Sequence, residues 1–146
     1  GNLDRKKLAQ VIFHDPKKKN DLENILHPRV FEFENLGYKN ISQKHPKALV
    51  MIDAALLIES GNYKKMDKVI VVKANKKTQI ERVLTQSGWG HDEVVARINN
   101  QMPITEKIKY ADYVLDNSSD KVSLRKKVKN LSKKLSFMAA EKNTKY

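Results

Sequence analysis

The sequence predicts an α/β fold, and two features of its second half carry that prediction. Short apolar runs stand at 48–52, 69–72 and 113–115. Apolar runs without polar alternation are typical of parallel strands covered on both faces. Between the last two runs, helical patterns cover 78–86, closed by Gly88, then 92–101, closed by Pro103, then 105–110. Strands that alternate with helices favour a parallel sheet with flanking helices.

The first quarter of the chain predicts helices. Asp15 followed by Pro16 is typical of a helix cap with proline in the first turn. His27-Pro28 predicts a break, because the residue before a proline is pushed out of helical geometry. The expected order is therefore a helix before Asp15, a second helix over 16–27, a third over 28–36 that ends at Leu36-Gly37, and a polar loop over 37–46.

Composition narrows the class of protein. A chain of 146 residues is the size of one ordinary domain, so we expect a single domain over 1–146. The absence of cysteine excludes disulfides and thiolate zinc sites and favours a reducing cytoplasm. No apolar run approaches the roughly 20 residues of a membrane span. The amino terminus has neither a signal peptide nor an initiator Met, so we expect a cut end or a tag scar.

The positive charge is concentrated in the tail. The net charge is +12, and residues 121–146 hold nine Lys or Arg against Glu141 alone. Such a tail could attract nucleic acid or an anionic membrane. The apolar residues in it nevertheless recur at helical spacing, namely Leu124, Val128, Leu131, Leu135 and Met138. A docked helix over 120–140 is therefore favoured over a nucleic-acid site.

Several polar residues are candidates for a site. Asp53 follows the apolar run 48–52, and ligands of open parallel sheets bind beside the strands' carboxyl ends. An aspartate there suits hydrated Mg²⁺ and its phosphates, or it only caps the next turn. Arg82 and Arg97 suit phosphate, or they form ordinary helical ion pairs. Asn117-Ser118 by themselves indicate only a turn.

An ordered set of motifs resembles the dephospho-coenzyme A kinase family along nearly the whole chain. The motifs are Leu3-Asp4-Arg5, His27-Pro28, the run from Asp53 to Glu59, Arg97-Ile98, Gln101-Met102-Pro103, and Ala111-Asp112-Tyr113 leading to Asp116-Asn117. The chain departs from the family's D-x-P-L-L-F-E pattern at Ala55 and Ile58. It departs from T-Q-x-x-R-x-x-x-R-D at Gln86 and Ser87, where the family has a phosphate-facing arginine and an aspartate.

The resemblance implies a P-loop-kinase-like parallel sheet, of which three strands lie in this chain, with a helical acceptor-binding part at 4–36 and a helical lid at 78–110. It implies ATP-dependent phosphorylation of the 3′-hydroxyl of dephospho-coenzyme A in coenzyme A biosynthesis. The implied site residues are Asp53 for Mg²⁺ through water, Arg82 and Arg97 for phosphates, Arg5, His27 and Glu59 for the acceptor, and Asn117 and Ser118 for the adenine of ATP.

One expected motif is missing from residues 1–146. No G-x-x-x-x-G-K-[ST] phosphate loop occurs, and the family's presumed base, an aspartate, is absent with it. We therefore expect this chain to be the carboxyl-terminal three quarters of a kinase and inactive alone. The strand that feeds the loop would separate runs 48–52 and 69–72. Its absence predicts loose packing or another partner in that gap.

Two other functions stay open at this point. A nucleoside monophosphate kinase shares the lid and sheet but should lack the helical segment with these motifs. A non-catalytic module could bind nucleic acid through the basic tail, with strong salt dependence. The sequence leaves the oligomeric state undetermined.

Overall fold

A computed structural model describes residues 3–142, which divide into two units. The first unit contains the described residues up to 52 together with those from 139 onward. Its helices are α1 (Arg5–His14) and α2 (Pro16–Lys44), which contact each other. Asp15 caps α2, because its carboxylate accepts hydrogen bonds from the backbone N–H groups of Lys17 at 3.0 Å and Lys18 at 3.1 Å. The predicted cap is confirmed.

The predicted break after His27 and the polar loop over 37–46 are both wrong, since α2 continues through Pro28 and Gly37. A proline inside a helix removes one hydrogen bond and leaves one carbonyl without a donor. No described residue of α2 is buried, so water can hydrogen-bond that carbonyl and the helix avoids the further cost of a buried unpaired acceptor. The helix instead ends at Lys44, and its C-cap His45 is the residue before Pro46, where the proline does disfavour helical geometry.

The second unit, residues 53–138, has the predicted α/β order. Its elements are a 3₁₀ turn (Asn62–Lys65), β1 (Ile70–Lys73), α3 (Lys76–Ser87), α4 (His91–Asn99), α5 (Ile104–Lys107), a second 3₁₀ turn (Ile108–Tyr110), β2 (Tyr113–Asp116) and α6 (Lys121–Lys142), the last of which continues past residue 138. The two strands are parallel, with Ile70 opposite Tyr113 and Lys73 opposite Asp116. The α/β class and the three helical stretches between the strands are confirmed.

The prediction of three strands is wrong, because within residues 3–142 the sheet contains β1 and β2 alone. Residues 48–52 are extended without belonging to a ladder. An apolar run becomes a strand only where a neighbour supplies hydrogen bonds, and the run has no neighbouring strand in the sheet. The direct pairing of 48–52 with β1, which would have refuted the expected gap, is not observed.

The sheet is also less covered than predicted. Val72 is 56% exposed and Val114 is 41% exposed. The core that does form consists of Ile58, Val69 and Val71, with partly buried residues packed against it, namely Tyr63, Met66, Met102, Ile104, Ile108 and Ala111. This core fixes the segment around Ile58 against β1.

Helix α6 docks on β2, as the apolar stripe predicts. The Tyr113 hydroxyl donates to Met138 Sδ at 3.4 Å, and Lys127 Nζ donates to the Asp116 carbonyl at 2.9 Å. Leu135 is buried, whereas Val128 is 45% exposed and falls outside the contact. No helix within residues 3–142 is long and apolar enough to cross a membrane.

Candidate active site

The second unit contains an open cleft of about 1130 Å³. It is lined by the segment that starts at Asp53, by β1 with Ala74, by parts of α3, α4 and α5, and by Asn117 after β2. The structure therefore brings five of the predicted site residues to one cleft, namely Asp53, Glu59, Arg82, Arg97 and Asn117. The carboxyl ends of both strands contribute to its wall, where ligands of parallel sheets bind.

Glu59 is held by a partly buried lysine. Lys107 Nζ lies 2.8 Å from Glu59 Oε1 and also donates to the Ala55 carbonyl at 2.9 Å. The Met102 N–H donates to the same Glu59 oxygen at 3.2 Å. Burial by itself raises the pKa of Glu59, but the hydrogen bond from Lys107, backbone N–H groups and the lysine charge together leave that pKa below its usual value. These contacts fasten the segment that begins with Asp53 to α5.

Arg82 holds the loop that follows β2. Its Nη1 donates to the Asn117 carbonyl at 2.8 Å and its Nη2 donates to the Ser119 carbonyl at 3.2 Å. A guanidinium has five N–H donors, so the side chain still has donors beyond these two. The sequence did not predict either contact with a carbonyl. Asn117 and Ser119 lie 35 and 37 residues after Arg82, and such a long separation in sequence does not indicate a contact.

The same loop is braced by the strand ends. Lys73 pairs with Asp116 at 3.3 Å, and the Asn75 N–H donates to Ser118 Oγ at 3.0 Å. Hydrogen bonds from the Ser118 hydroxyl and backbone N–H, followed by Lys73, lower the pKa of Asp116 to about 2. Asn117 and Ser118, predicted to lie near adenine, are thus presented by a loop fixed from three sides.

Arg97 lies on α4 with two partners. Its Nη2 donates to Glu93 Oε1 at 2.8 Å, and its guanidinium carbon lies 3.9 Å from the ring centroid of Trp89. The ion pair is the ordinary i,i+4 contact that was the alternative to a phosphate role, and Arg97 still lines the cleft. Trp89 therefore packs locally on this arginine.

Two predicted residues lie in the other unit. Arg5 begins α1 and is exposed. His27 lies within α2, where the centroid of its ring is 5.8 Å from that of Phe31 and the two rings are tilted by 30°. Their predicted contacts with an acceptor stay predictions.

The Asp112 carboxylate has a structural task that the motif alone did not show. It pairs with Lys68 at 2.7 Å and accepts the Val69 N–H at 2.8 Å. The Lys68 hydrogen bond, followed by the Val69 N–H, lowers the pKa of Asp112. The residue thereby joins the start of β2 to the chain entering β1. Lys107 was likewise missed, because an isolated lysine in a short helix carries no recognisable signal.

A parallel sheet with flanking helices and a polar cleft at its strand ends is shared by α/β folds that bind nucleotides, among them the kinases of the P-loop type. The Dephospho-CoA kinase family matches residues 1–123. The dephospho-CoA kinases of Aquifex aeolicus and Bacillus cereus are 41% and 36% identical to this chain, and each match covers 92% of it. The chain belongs to the dephospho-CoA kinase family.

Solved structures agree with that assignment. A crystal structure of a Thermus thermophilus protein matches with a TM-score of 0.75 and 34% identity, over 92% of this chain and 69% of that one. The dephospho-CoA kinase from Campylobacter jejuni matches with a TM-score of 0.61 and 29% identity, over 92% and 66%. The chain spans about two thirds of its relatives' length, 67% of the Aquifex protein and 66% of the Bacillus protein.

Proposed function

We propose that the protein containing this chain transfers the γ-phosphoryl group of ATP to the 3′-hydroxyl of dephospho-coenzyme A. The supporting observation is that a member of this family gathers Asp53, Arg82, Arg97 and Asn117 around one cleft. Phosphoryl transfer depends on positioning and on cations near the migrating group. The alternatives, a nucleoside monophosphate kinase and a basic nucleic-acid module, receive no support from the family match.

Asp53 is the residue that would hold Mg²⁺. Within residues 3–142 no group of three or more potential ligands is assembled. Kinase Mg²⁺ ions are commonly held by one or two carboxylates, with waters and phosphates filling the remaining positions. Asp53 is exposed in the cleft and fits that mode, whereas Glu59, the other carboxylate of the cleft, is paired with Lys107. The ion would neutralise phosphate charge when bound.

The arginines have different tasks in this proposal. Arg97 contacts phosphates, because its guanidinium lies at the cleft with donors to spare. Arg82 acts on the nucleotide indirectly, by fixing the loop that presents Asn117 and Ser118 to the adenine. Arg5, His27 and Glu59 are each proposed as contacts of the acceptor, two from the first unit and one from the second.

The triphosphate cradle is expected from protein outside residues 1–146. β1 lines the cleft along its length, and among residues 3–142 it pairs with β2 alone, so we propose that its second edge pairs with a strand leading into a phosphate loop. We propose a cytoplasmic location, as expected for coenzyme A synthesis, and no nucleic-acid partner.

The test uses protein expressed from the complete reading frame. Transfer from ATP to dephospho-coenzyme A is measured beside transfer to AMP, which separates the two kinase classes. Asp53→Asn is expected to lower kcat about 100-fold, since it removes the charge that organises the metal and its phosphates. Asp92→Asn is the matched control, because the Asp92 side chain is fully exposed. Transfer to AMP alone, or equal kcat in Asp53→Asn and wild type, would contradict the proposal.

A further inference from the structure

Trp89 lies in the turn that joins α3 to α4, and it borders the cleft. Gly88 ends α3 in the left-handed conformation at φ 69°. The Trp89 N–H donates to Ser87 Oγ at 3.2 Å, and that hydroxyl donates to the Val83 carbonyl at 2.7 Å. The backbone that carries the indole is therefore anchored to the last turn of α3.

The indole supports the Arg97 guanidinium on one face. The guanidinium carbon lies 3.9 Å from the ring centroid, while Nε and Nη2 donate to Glu93 Oε1 at 3.2 and 2.8 Å. Three of the five N–H donors are left by these two hydrogen bonds. A planar group stacked on one face and bonded along one edge has little freedom to tilt.

Stacking and ion pairing differ in how many N–H donors of the guanidinium they leave free for a ligand. Stacking uses the face of the guanidinium, so every N–H remains available to an anion. The Glu93 contact uses two donors, and at 43% and 45% exposure of the two side chains it is weak enough for a phosphate to compete with it. The indole can therefore keep its contact with the Arg97 guanidinium when an anion replaces Glu93 at the N–H edge of that group.

We propose that Trp89 is a positioning residue that directs Arg97 toward the phosphates of a bound nucleotide. This inference rests on the proposed kinase function. Arg82 already gives two of its donors to the carbonyls of the loop after β2. The orientation of Arg97 therefore matters for how well the phosphates are held.

The kinetic test compares Trp89→Leu with Trp89→Phe in the full-length protein. Trp89→Leu should raise the KM for ATP about two- to fivefold, the range for an exposed cation–π contact. The KM for dephospho-coenzyme A should stay unchanged, and Trp89→Phe should restore part of the loss because it keeps an aromatic face. Phe137→Leu is the matched control, since Phe137 is a 65% exposed aromatic on α6.

A spectroscopic readout separates positioning from general packing. Trp89 is the one tryptophan in residues 1–146. The difference in emission between wild type and Trp89→Phe isolates this indole, should change saturably with ATP, and should lose that response in Arg97→Met. Active enzyme whose KM for ATP is unchanged in Trp89→Leu overturns this inference and leaves the kinase proposal standing. Wild-type protein that neither binds ATP by calorimetry nor transfers phosphate overturns both.

Discussion

Replacing Lys107 by methionine tests the contact that fixes the Asp53 segment. The lysine side chain is 12% exposed and its partner Glu59 is 23% exposed. The pair thus lies between exposed ion pairs, worth roughly 0–1 kcal/mol, and buried ones, where loss of one partner costs roughly 3–5 kcal/mol. The lost hydrogen bond to the Ala55 carbonyl contributes about 1 kcal/mol more.

We therefore expect Lys107→Met to lower the free energy of unfolding by about 2–3 kcal/mol. For a chain of 146 residues, the entropy of unfolding is about 0.3 kcal/mol/K, so Tm should fall by about 6–10 °C. The assay is chemical and thermal unfolding followed by circular dichroism. A double-mutant cycle with Glu59→Gln should show coupling above about 1 kcal/mol, because the two side chains are in contact.

Lys109→Met is the control for that prediction. Lys109 pairs with Glu106 at 2.7 Å, close to the distance in the test pair, but the two side chains are 65% and 49% exposed. Its removal should change the free energy of unfolding by less than about 0.5 kcal/mol. If Lys107→Met were no more destabilising than Lys109→Met, the argument from burial would be refuted.

Two further predictions concern acid stability and the turn after α3. The lowered pKa of Asp116, about 2 against 3.8, contributes stability above about pH 4 that is lost as pH falls through 2. In Asp116→Asn, the free energy of unfolding measured with urea should therefore fall less between pH 5 and pH 2 than it does in the wild type. If the wild type were more stable than the variant by the same amount at both pH values, this prediction would be contradicted. Gly88→Ala should destabilise by about 1 kcal/mol because φ is positive there. Gly37→Ala, inside α2 and with open space around it, should not destabilise, because alanine favours a helix more than glycine does; similar Tm losses in both would exclude backbone strain as the cause.

The two halves of the chain differ in how well local patterns predict them. Near the sheet, the apolar runs 69–72 and 113–115 correspond to strands, and Gly88 ends its helix as predicted. In the first unit, Pro28 and Gly37 wrongly predict helix ends. Proline and glycine weaken a helix without forbidding it, and an exposed helix can leave the freed carbonyl to solvent.

The candidate site shows the same division. Motif resemblance selected Asp53, Arg82, Arg97 and Asn117, and the structure gathers them at one cleft. It did not reveal that Arg82 holds the carbonyls of the loop after β2. Contacts between residues far apart in sequence depend on how the strands are ordered and on the direction of each side chain, which no local spacing encodes.

By itself, the amino-acid sequence determined the α/β class, the helical stretches between β1 and β2, and membership in a kinase family. These follow from short-range periodicity and from residue types at fixed spacing, both of which are properties of the chain alone. The tertiary structure alone decided that residues 48–52 stay outside the sheet and that Lys107 binds Glu59. It likewise decided that Trp89 supports Arg97. Strand formation needs a neighbour for its hydrogen bonds, and an ion pair or a stacked ring needs two side chains brought together by packing.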